Sequence, residues 1–316
     1  MLQLDHIVLA RDFSPVSDQA LRYAIGLAQH TGATLHLLYA DVLHEDPFNA
    51  VTPGTGPSRD AQIRERLQVD ADDTPLAEHF ADVMFEAEVR RDVAAAPAIL
   101  GYASDQDADL IIMGTHGRRG VRRLLMGSVA EEVVRRANRP VMTVRKEEDG
   151  NALPTIERIL VPIDFSDFAA DALRHANELA QLYGAQLDLL HVIEENLHPA
   201  FYVGGVRSIY DVQPDIEEKV RERLQALWED VDGETGTPAA MHVVDGRAAR
   251  KITKFADTNQ SDLVVMSTHG LTGLEHFLMG SVAEKVVRHV TAPVLTVKAF
   301  GKSLLRASAE AEAATP

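Results

Sequence analysis

The sequence predicts an α/β protein built from two repeated, doubly wound domains. Each domain should hold a mostly five-stranded parallel sheet flanked by helices, in a Rossmann-like or flavodoxin-like order. Two observations predict this fold. The second half of the chain repeats the first, and within each half short apolar runs alternate with segments of helical period. A length of 316 residues suits about two average domains.

The repeat is clearest near the end of each half. Residues 114–145 align without a gap to residues 267–298, and 18 of the 32 positions are identical. Unrelated sequences would match at about two positions. The similarity extends upstream, where His6–Ser14 matches Arg158–Ser166 and Ala108–Met113 matches Ser261–Met266.

These matches place the domain boundaries. We expect a first domain over residues 1–146, a linker over 147–154 and a second domain over 155–299. The linker region is charged and rich in turn formers. Residues 300–316 are rich in Ala, Glu and Ser, a composition that predicts a disordered tail.

Ten short apolar runs are predicted to form the strands. They are continuous rather than alternating, as expected of strands buried on both faces in a parallel sheet. In the first domain the runs are Ile7–Ala10, Thr34–Tyr39, Met84–Val89, Leu110–Met113 and Val141–Val144; in the second they are Ile159–Ile163, Gln186–Val192, Ala239–Val244, Leu263–Met266 and Val294–Val297.

Helices are predicted between these runs. The segments of helical period are Ser17–His30, Ala95–Ser104 and Val129–Ala137 in the first domain, and Asp167–Tyr183, Ala248–Thr258 and Val282–Val290 in the second. Two stretches, Leu43–Asp60 and Glu194–Gln213, carry little structural signal. Both follow the second strand of their domain, where long loops can act as lids.

Composition narrows the possible functions. The chain has no cysteine, which excludes disulfides, thiolate metal sites and a cysteine nucleophile. The N-terminus lacks the features of a signal peptide and no long apolar run is present, so we expect a cytoplasmic protein. A net charge of −17 disfavours nucleic acid and anionic membranes as partners. An anionic ligand would need a locally built site.

A candidate for that site follows the fourth strand of each domain. Gly114-Thr115-His116-Gly117 is followed by nine residues and then Gly127-Ser128, and the second domain has Ser267-Thr268-His269-Gly270 and Gly280-Ser281 at the same spacing. Glycines allow backbone amides to approach a ligand, and a helix N-terminus favours an anion. The pattern therefore predicts a cradle for a polyphosphate, present twice.

An alternative interpretation is purely structural. Ser128-Val129-Ala130-Glu131 and its counterpart beginning at Ser281 both fit the S-x-x-E capping box, in which the serine caps its helix and the glycines only form a turn.

The G-x2-G-x9-G-[S/T] spacing, the Val-Ala-Glu that follows it and the terminal Pro-Val-x-x-Val strand resemble the universal stress protein superfamily. The resemblance covers both repeats and matches its tandem members. It implies binding of ATP, or of ADP or AMP, with Mg or Mn accompanying the nucleotide. The implied nucleotide-binding positions are Asp12, Ala40, Gly114, Thr115, His116, Gly117, Gly127, Ser128 and Val129, and Asp164, Val192, Ser267, Thr268, His269, Gly270, Gly280, Ser281 and Val282.

Within this set, the first-strand Asp12 and Asp164 are expected beside the nucleotide, where they would contact ribose or hold a metal through the phosphates. A turn or helix-capping role is the alternative for both. Ala40 and Val192 match the position whose backbone pairs with adenine.

The two copies depart from the family pattern differently. Ser267 replaces the first glycine in the second copy, and Val93 stands in the first copy where the second has Gly246. Arg118, Arg119, Arg122 and Arg123 crowd the first loop, where the second has Leu271, Thr272, Glu275 and His276. The arginines form either an attractor for phosphate or a solvated basic face.

No catalytic constellation is evident. His116 and His269 have no visible partner for base catalysis, so a loop-structuring role is favoured, and no known hydrolase motif is present. Three hypotheses remain: an ATP-binding module in stress response or signalling, a slow ATP hydrolase, and an interaction scaffold with vestigial sites.

The last strands bear on assembly. Pro140–Val144 and Pro293–Val297 are apolar and would form sheet edges. The family resemblance implies that they pair within the chain as a pseudo-dimer, and two chains could associate further as a homodimer.

Overall fold

The structure of the protein is a computed structural model. It describes residues 2–42, 59–72, 77–115, 126–145, 152–194, 208–232, 235–270, 279–298 and 300–305. The chain divides into two compact units. The first comprises Met1–Pro154 together with Phe300–Pro316, and the second comprises Thr155–Ala299.

The first domain alternates strands and helices throughout. Its helix α1 begins at a serine cap, because Ser14 Oγ accepts a hydrogen bond from the backbone N–H of Ser17, and it ends at Gly32 in the left-handed conformation. The elements are β1 (His6–Arg11), α1 (Pro15–Thr31), β2 (Thr34–Val42), α2 (Arg59–Asp72), α3 (Ala77–Phe80), β3 (Phe85–Asp92), α4 (Ala95–Asp105), β4 (Leu110–Gly114), α5 (Ser128–Arg136) and β5 (Val141–Val144).

The second domain repeats this order. Ser166 caps its first helix as Ser14 does in the first domain, and Gly184 ends that helix as Gly32 does. The elements are β6 (Arg158–Pro162), α6 (Asp167–Tyr183), β7 (Gln186–Ile193), α7 (Ile209–Val212), α8 (Ile216–Asp232), β8 (Ala239–Asp245), α9 (Ala248–Thr258), β9 (Leu263–Ser267), α10 (Ser281–His289) and β10 (Val294–Val297).

Both sheets are parallel and share one topology. The strand order is β3-β2-β1-β4-β5 in the first domain and β8-β7-β6-β9-β10 in the second. This confirms the predicted doubly wound α/β fold and gives it the Rossmann-like order. All ten predicted strands are present, and their ends differ from the predicted ones by three residues at most.

The core of each domain lies around its central strands. Ile7, Val8 and Leu9 in β1 are fully buried, and so are Ile159, Leu160 and Val161 in β6. Burial on both faces explains the continuous apolar runs of the sequence, since helices cover the two sides of a sheet of this kind. Within the described ranges, no helix is long and apolar enough to cross a membrane.

Two features differ from expectation. Helices α2, α3, α7 and α8 have no counterpart among the predicted ones; in α2 and α8, polar surface residues weaken the apolar pattern. The tail is not disordered from residue 300 onwards. Leu304 is fully buried, its carbonyl accepts a hydrogen bond from the Gln3 N–H, and Lys302 Nζ lies 2.7 Å from a carboxylate oxygen of Asp109. These contacts attach residues 300–305 to the first domain; residues 306–316 lie outside the described ranges.

Candidate functional site

The candidate site is the crevice at the carboxyl end of each sheet, where the strand order reverses. In the first domain the switch point lies between β1 and β4, and in the second between β6 and β9. Ligands of open α/β sheets bind at such points, because the chain leaves the two strands in opposite directions and opens a gap.

A tight turn leaves the first strand beside this crevice. Oδ1 of Asp12 accepts a hydrogen bond from the Ser14 N–H at 3.0 Å, and Oδ1 of Asp164 accepts the equivalent bond from Ser166 at 3.0 Å. Both aspartates therefore stabilise a turn, as the alternative interpretation expected. The helix caps are Ser14 and Ser166, so neither aspartate is a cap.

The residue between aspartate and serine is strained in both domains. Phe13 has a φ of 58° and Phe165 a φ of 62°. Left-handed backbone at a bulky residue is an outlier that persists only where surrounding contacts enforce it, and such residues concentrate at functional sites.

The second strand of each domain runs past the end of the first. The last pair between β1 and β2 is Arg11↔Tyr39, and the last between β6 and β7 is Pro162↔Leu190, whereas pairing with the outer strand continues for several residues.

Strand parity fixes which way the overhanging backbone faces. The Thr34 N–H bonds to the β1 side and the Leu35 N–H to the β3 side; residues at even positions of β2 therefore face β1. By the same parity, Gln186 bonds toward β6, and Val192 faces that side as well. Ala40 and Val192 thus direct a backbone N–H and C=O into the crevice, just past the strand that would have paired with them.

The helix at the other side of the crevice begins without a side-chain cap. Gly127 is the N-cap of α5 and Gly280 is the N-cap of α10, and neither cap carries a side-chain hydrogen bond. Ser128 and Ser281 are the first helical residues and are exposed. The capping-box interpretation is therefore wrong at both sites. Helix geometry leaves the amides of residues 128–130 and 281–283, including those of Val129 and Val282, without intrahelical partners.

The amides of the two N-cap glycines do not contribute as the cradle hypothesis expected. The N–H of Gly127 bonds to the Thr115 carbonyl at 2.7 Å, and that of Gly280 bonds to the Thr268 carbonyl at 2.8 Å. Thr115 and Thr268 are buried, and their own N–H groups bond to the last strand of their domain. Gly127 and Gly280 therefore offer no free amide to a ligand, whereas the first turn of the helix that follows each of them does.

Gly114 has a structural role that the sequence did not reveal. A Cβ there would lie 2.8 Å from a methyl carbon of Val16 and 3.3 Å from the backbone nitrogen of Ser17. Among the described candidate glycines, Gly114, Gly127, Gly270 and Gly280, positive φ is not found. Gly114 is thus required by close packing of β4 on the start of α1 and not by a left-handed loop.

Gly270 brings the loop and the first-strand aspartate together. A Cβ at Gly270 would lie only 2.5 Å from Oδ2 of Asp164. At Gly280 a Cβ would lie 3.2 Å from the Thr268 carbonyl oxygen. In the second domain the Asp164 carboxylate, the loop backbone and the helix entrance are therefore neighbours, as the sequence hypothesis requires.

His269 is engaged within this loop. Its Nδ1 lies 3.1 Å from the Thr268 hydroxyl, its backbone N–H bonds to Ser267 Oγ at 3.1 Å, and its ring packs near Phe168. These contacts agree with a loop-structuring histidine. The rest of both loops lies outside the described residues, which includes His116, Gly117, Arg118, Arg119, Arg122, Arg123, Leu271, Thr272, Glu275 and His276.

Val93 in the first domain and Gly246 in the second occupy equivalent positions, directly after the third strand. Gly246 has a φ of 129°, and a Cβ there would lie 2.7 Å from Cε of Lys251. Val93 is 63% exposed. Gly246 is therefore needed for its backbone conformation in the second domain, and Val93 belongs to a turn with a different conformation.

Metal binding by protein side chains alone is not evident in the described parts of the chain. These contain no group of three or more His, Asp or Glu placed to hold an ion. Asp12 and Asp164 each fit only a cation that is also held by a ligand's own oxygens, since Mg²⁺ commonly binds through one carboxylate plus phosphates.

An aromatic cluster that was not predicted from the sequence lies beside this turn in each domain. The ring centroid of Phe13 lies 5.5 Å from that of Tyr39, and the guanidinium carbon of Arg66 lies 4.0 Å from the Phe13 centroid. In the second domain Phe165 lies 4.7 Å from His191, and Arg223 lies 4.1 Å from Phe165. A signal existed, because Tyr39 and His191 each precede the overhanging backbone position.

The environment of His191 disfavours its charged form. Burial lowers the pKa of His191, and Arg223 adds to this, while its hydrogen bond to the Ile163 carbonyl and the nearby Asp164 act in the opposite direction. A neutral imidazole therefore lies against Phe165 at neutral pH.

Comparison with known proteins agrees with this architecture. The universal stress protein family profile matches residues 3–145 and 155–298. A universal stress protein of Methanocaldococcus jannaschii is 31% identical over 45% of this chain and 82% of its own length. One from Mycobacterium tuberculosis is 28% identical over 75% of this chain and 78% of its own length. The crystal structure of a universal stress protein from Archaeoglobus fulgidus, 22% identical, has a TM-score of 0.62 and covers 95% of this chain and 97% of that one.

The profile matches both halves and nearly the whole sequence, and a solved relative has the same fold over its full length. The chain therefore belongs to the universal stress protein family, as a member with two domains in tandem.

Proposed function

We propose that the protein binds adenine nucleotides, ATP foremost, in the crevice of each domain, and that it acts in the cytoplasm in stress response or signalling. One observation carries the proposal. Both crevices combine a free strand backbone, at Ala40 or Val192, with an uncapped helix N-terminus across the switch point.

The two ends of the crevice suit the two ends of a nucleotide. A backbone N–H and C=O side by side can pair with the donor and acceptor edge of adenine. Amides at a helix N-terminus, together with the helix dipole, favour phosphate oxygens. In this proposal the carboxylates of Asp12 and Asp164 lie between them, beside ribose or a phosphate-bound Mg²⁺ or Mn²⁺.

Binding rather than rapid hydrolysis is the function that the described residues support. His269 Nδ1 lies against the Thr268 hydroxyl and its ring packs near Phe168, which are the contacts of a loop-structuring histidine rather than of a general base. Nucleotide occupancy would then act by stabilising the folded domains. Pairing of the last strands into an intrachain pseudo-dimer, and association of two chains, remain part of the proposal.

Titration calorimetry with ATP, ADP and AMP on the full chain tests this function. We expect two nucleotides per chain, falling to one in Gly270→Val, because a Cβ there would collide with the Asp164 carboxylate. Gly26→Ala is the matched control, since nothing lies within 4 Å of a Cβ at Gly26. Absence of binding and of a thermal shift at millimolar nucleotide would refute the proposal and leave a scaffold role.

A further inference from the structure

A second repeated motif lies in the two helices that the sequence pattern did not reveal. Arg64–Gln68 and Arg221–Gln225 both read RERLQ. Their offset is 157 residues, against 152 for the first strands, because the connections after the second strands differ in length. Leu67 and Leu224 are fully buried and anchor α2 and α8 to their domains.

The second arginine of each motif makes the same contact in both domains. The guanidinium carbons of Arg66 and Arg223 lie 4.0 and 4.1 Å from the ring centroids of Phe13 and Phe165. These distances are well within the range of a cation–π contact. The identical pentapeptide and the identical contact show that the arrangement belongs to the duplicated unit and is not an accident of one helix.

The first arginine of each motif is occupied elsewhere. Arg64 donates to a carboxylate oxygen of Glu88 at 3.0 Å, and Arg221 donates to the Met241 carbonyl at 2.6 Å. Both bonds reach the outer strand of the sheet. Arg64 and Arg221 thus attach the helices to the sheet. The second arginine of each motif, Arg66 or Arg223, has no part in this attachment.

Arg66 and Arg223 are exposed and form no ion pair with any residue that the structure describes. In a chain with 48 acidic residues, a guanidinium that rests on a ring instead of a carboxylate is unusual. A guanidinium is planar and has two faces, and the ring covers one of them. Because both arginines are exposed, the other face can receive a second planar group.

The location indicates what that group would be. The phenylalanine ring contacted by each arginine also contacts Tyr39 or His191, the residue directly before the overhanging strand position. Both arginines are therefore at the strand end of the crevice, where the proposed function places the base, and not at the helix entrance that would receive phosphate.

We propose that Arg66 and Arg223 form a stacking platform for the purine base of the bound nucleotide. The base would lie on the open face of the guanidinium, which Phe13 or Phe165 supports from the other side. This inference rests on the proposed function and refines it, because it adds side-chain recognition of the base to backbone recognition. Bases stack on the plane of an arginine guanidinium as they do on aromatic rings.

The test compares two double variants of the full chain. Arg66→Gln with Arg223→Gln removes the platform, and Arg64→Gln with Arg221→Gln makes the same chemical change two residues earlier in each motif. Affinities for ATP, AMP, adenosine and inorganic tripolyphosphate are measured by calorimetry, and thermal unfolding without ligand shows that the variants are folded.

We expect the platform variant to bind ATP, AMP and adenosine about tenfold more weakly, by a common factor, with tripolyphosphate unchanged. The control should stay within about twofold of wild type. Weaker binding of ATP and tripolyphosphate but not of adenosine would overturn the inference in favour of a phosphate contact. No change for any ligand would overturn the inference and leave Arg66 and Arg223 with only their contacts to Phe13 and Phe165. If the wild type binds none of these compounds, the proposed function fails together with this refinement.

Discussion

The buried polar side chains at the second strand differ in chemistry between the two domains. In the first domain the ring nitrogens of His6 and His36 lie 3.1 Å apart, and His36 also lies 3.1 Å from the hydroxyl of Tyr102. His36 and Tyr102 are both buried. Burial lowers the pKa of His36 and raises the pKa of Tyr102 to about 12, so His36 and Tyr102 form a neutral cluster at pH 7, with the exposed Glu86 carboxylate 3.5 Å from His36 Nδ1.

The equivalent positions of the second domain carry charge. Asp188, which corresponds to His36, is 1% exposed and lies 3.2 Å from Arg158 and 2.8 Å from Nε2 of His242. His242 packs on Phe255, which stands where the first domain has Tyr102. A buried carboxylate of this kind requires its partners, because removing water from a charge costs several kcal/mol.

The difference shows which parts of the duplicated fold are free to vary. The interior polar cluster can be rebuilt as long as each buried polar group finds a partner. The crevice keeps the same turn geometry, the same uncapped helix entrance and the same stacked arginine in both copies. Features that are kept twice in one chain are the ones for which a common ligand is the simplest explanation.

The largest expected effect comes from breaking the charged cluster. Asp188→Ala leaves Arg158 and His242 without their carboxylate, and should lower the free energy of unfolding of the second domain by about 2–4 kcal/mol. Both partners are about one-third exposed, so water limits the loss. Hydrogen exchange of β7 and β8 would report it. His36→Ala is the corresponding change in the neutral cluster, and an equal or larger loss there would contradict the assignment of charge.

A smaller effect is expected where the copies differ at the end of the fourth strand. Gly114→Ser places a Cβ against Val16 and the first turn of α1, and should cost the first domain about 1–3 kcal/mol. The reverse change, Ser267→Gly, removes the whole side chain, including the hydroxyl oxygen that accepts from the His269 N–H, and should cost about 1 kcal/mol. Urea unfolding compares the two. Equal losses would mean that β9 packs on α6 as tightly as β4 packs on α1.

Gly114 and Ser267 also show which features can be predicted from the sequence and which cannot. Continuous apolar runs predicted the central strands, because burial on both faces leaves no room for polar alternation. The outer strands β3 and β8 were predicted as well, although they are buried only in part. The role of Gly114 could not be predicted, since a glycine before a loop equally suits a left-handed turn and a close helix contact. Only the position of Val16 distinguishes them.

The location of the candidate site could be predicted from the sequence, but the backbone amides that are free to donate hydrogen bonds there could not. The spacing of glycines after β4 and β9 placed it at the switch point. Which amides remain available depends on hydrogen bonds such as that from Gly127 to Thr115, and these follow from three-dimensional geometry rather than residue type. The RERLQ motif was missed for a related reason. The motif repeats at a different spacing from the strands, so the alignment of the two halves does not bring its copies together. Its role became apparent only from the contact between Arg66 and Phe13.

The smallest expected effect is a dependence of stability on pH. Burial lowers the pKa of His36 below its ordinary value of 6.5; His6 acts in the same direction and Glu86 opposes it. As pH falls through 6.5 the unfolded chain takes up a proton at this histidine before the folded domain does. Stability that is fully present at neutral pH is therefore lost on acidification. His175 and His191 shift in the same direction, so the second domain loses stability as well.

Replacing His36 isolates the contribution of the neutral cluster. Between pH 7.5 and 5.5, His36→Gln should reduce the loss of unfolding free energy, because it removes a group that the unfolded chain protonates before the folded domain does. His289→Gln, at an exposed histidine of α10, is the control and should leave the loss unchanged. Urea unfolding at the two pH values gives the comparison. A loss that His36→Gln leaves intact would place the acid sensitivity of the chain in His175 and His191, and the neutral cluster would then differ from the charged one in chemistry but not in its response to pH.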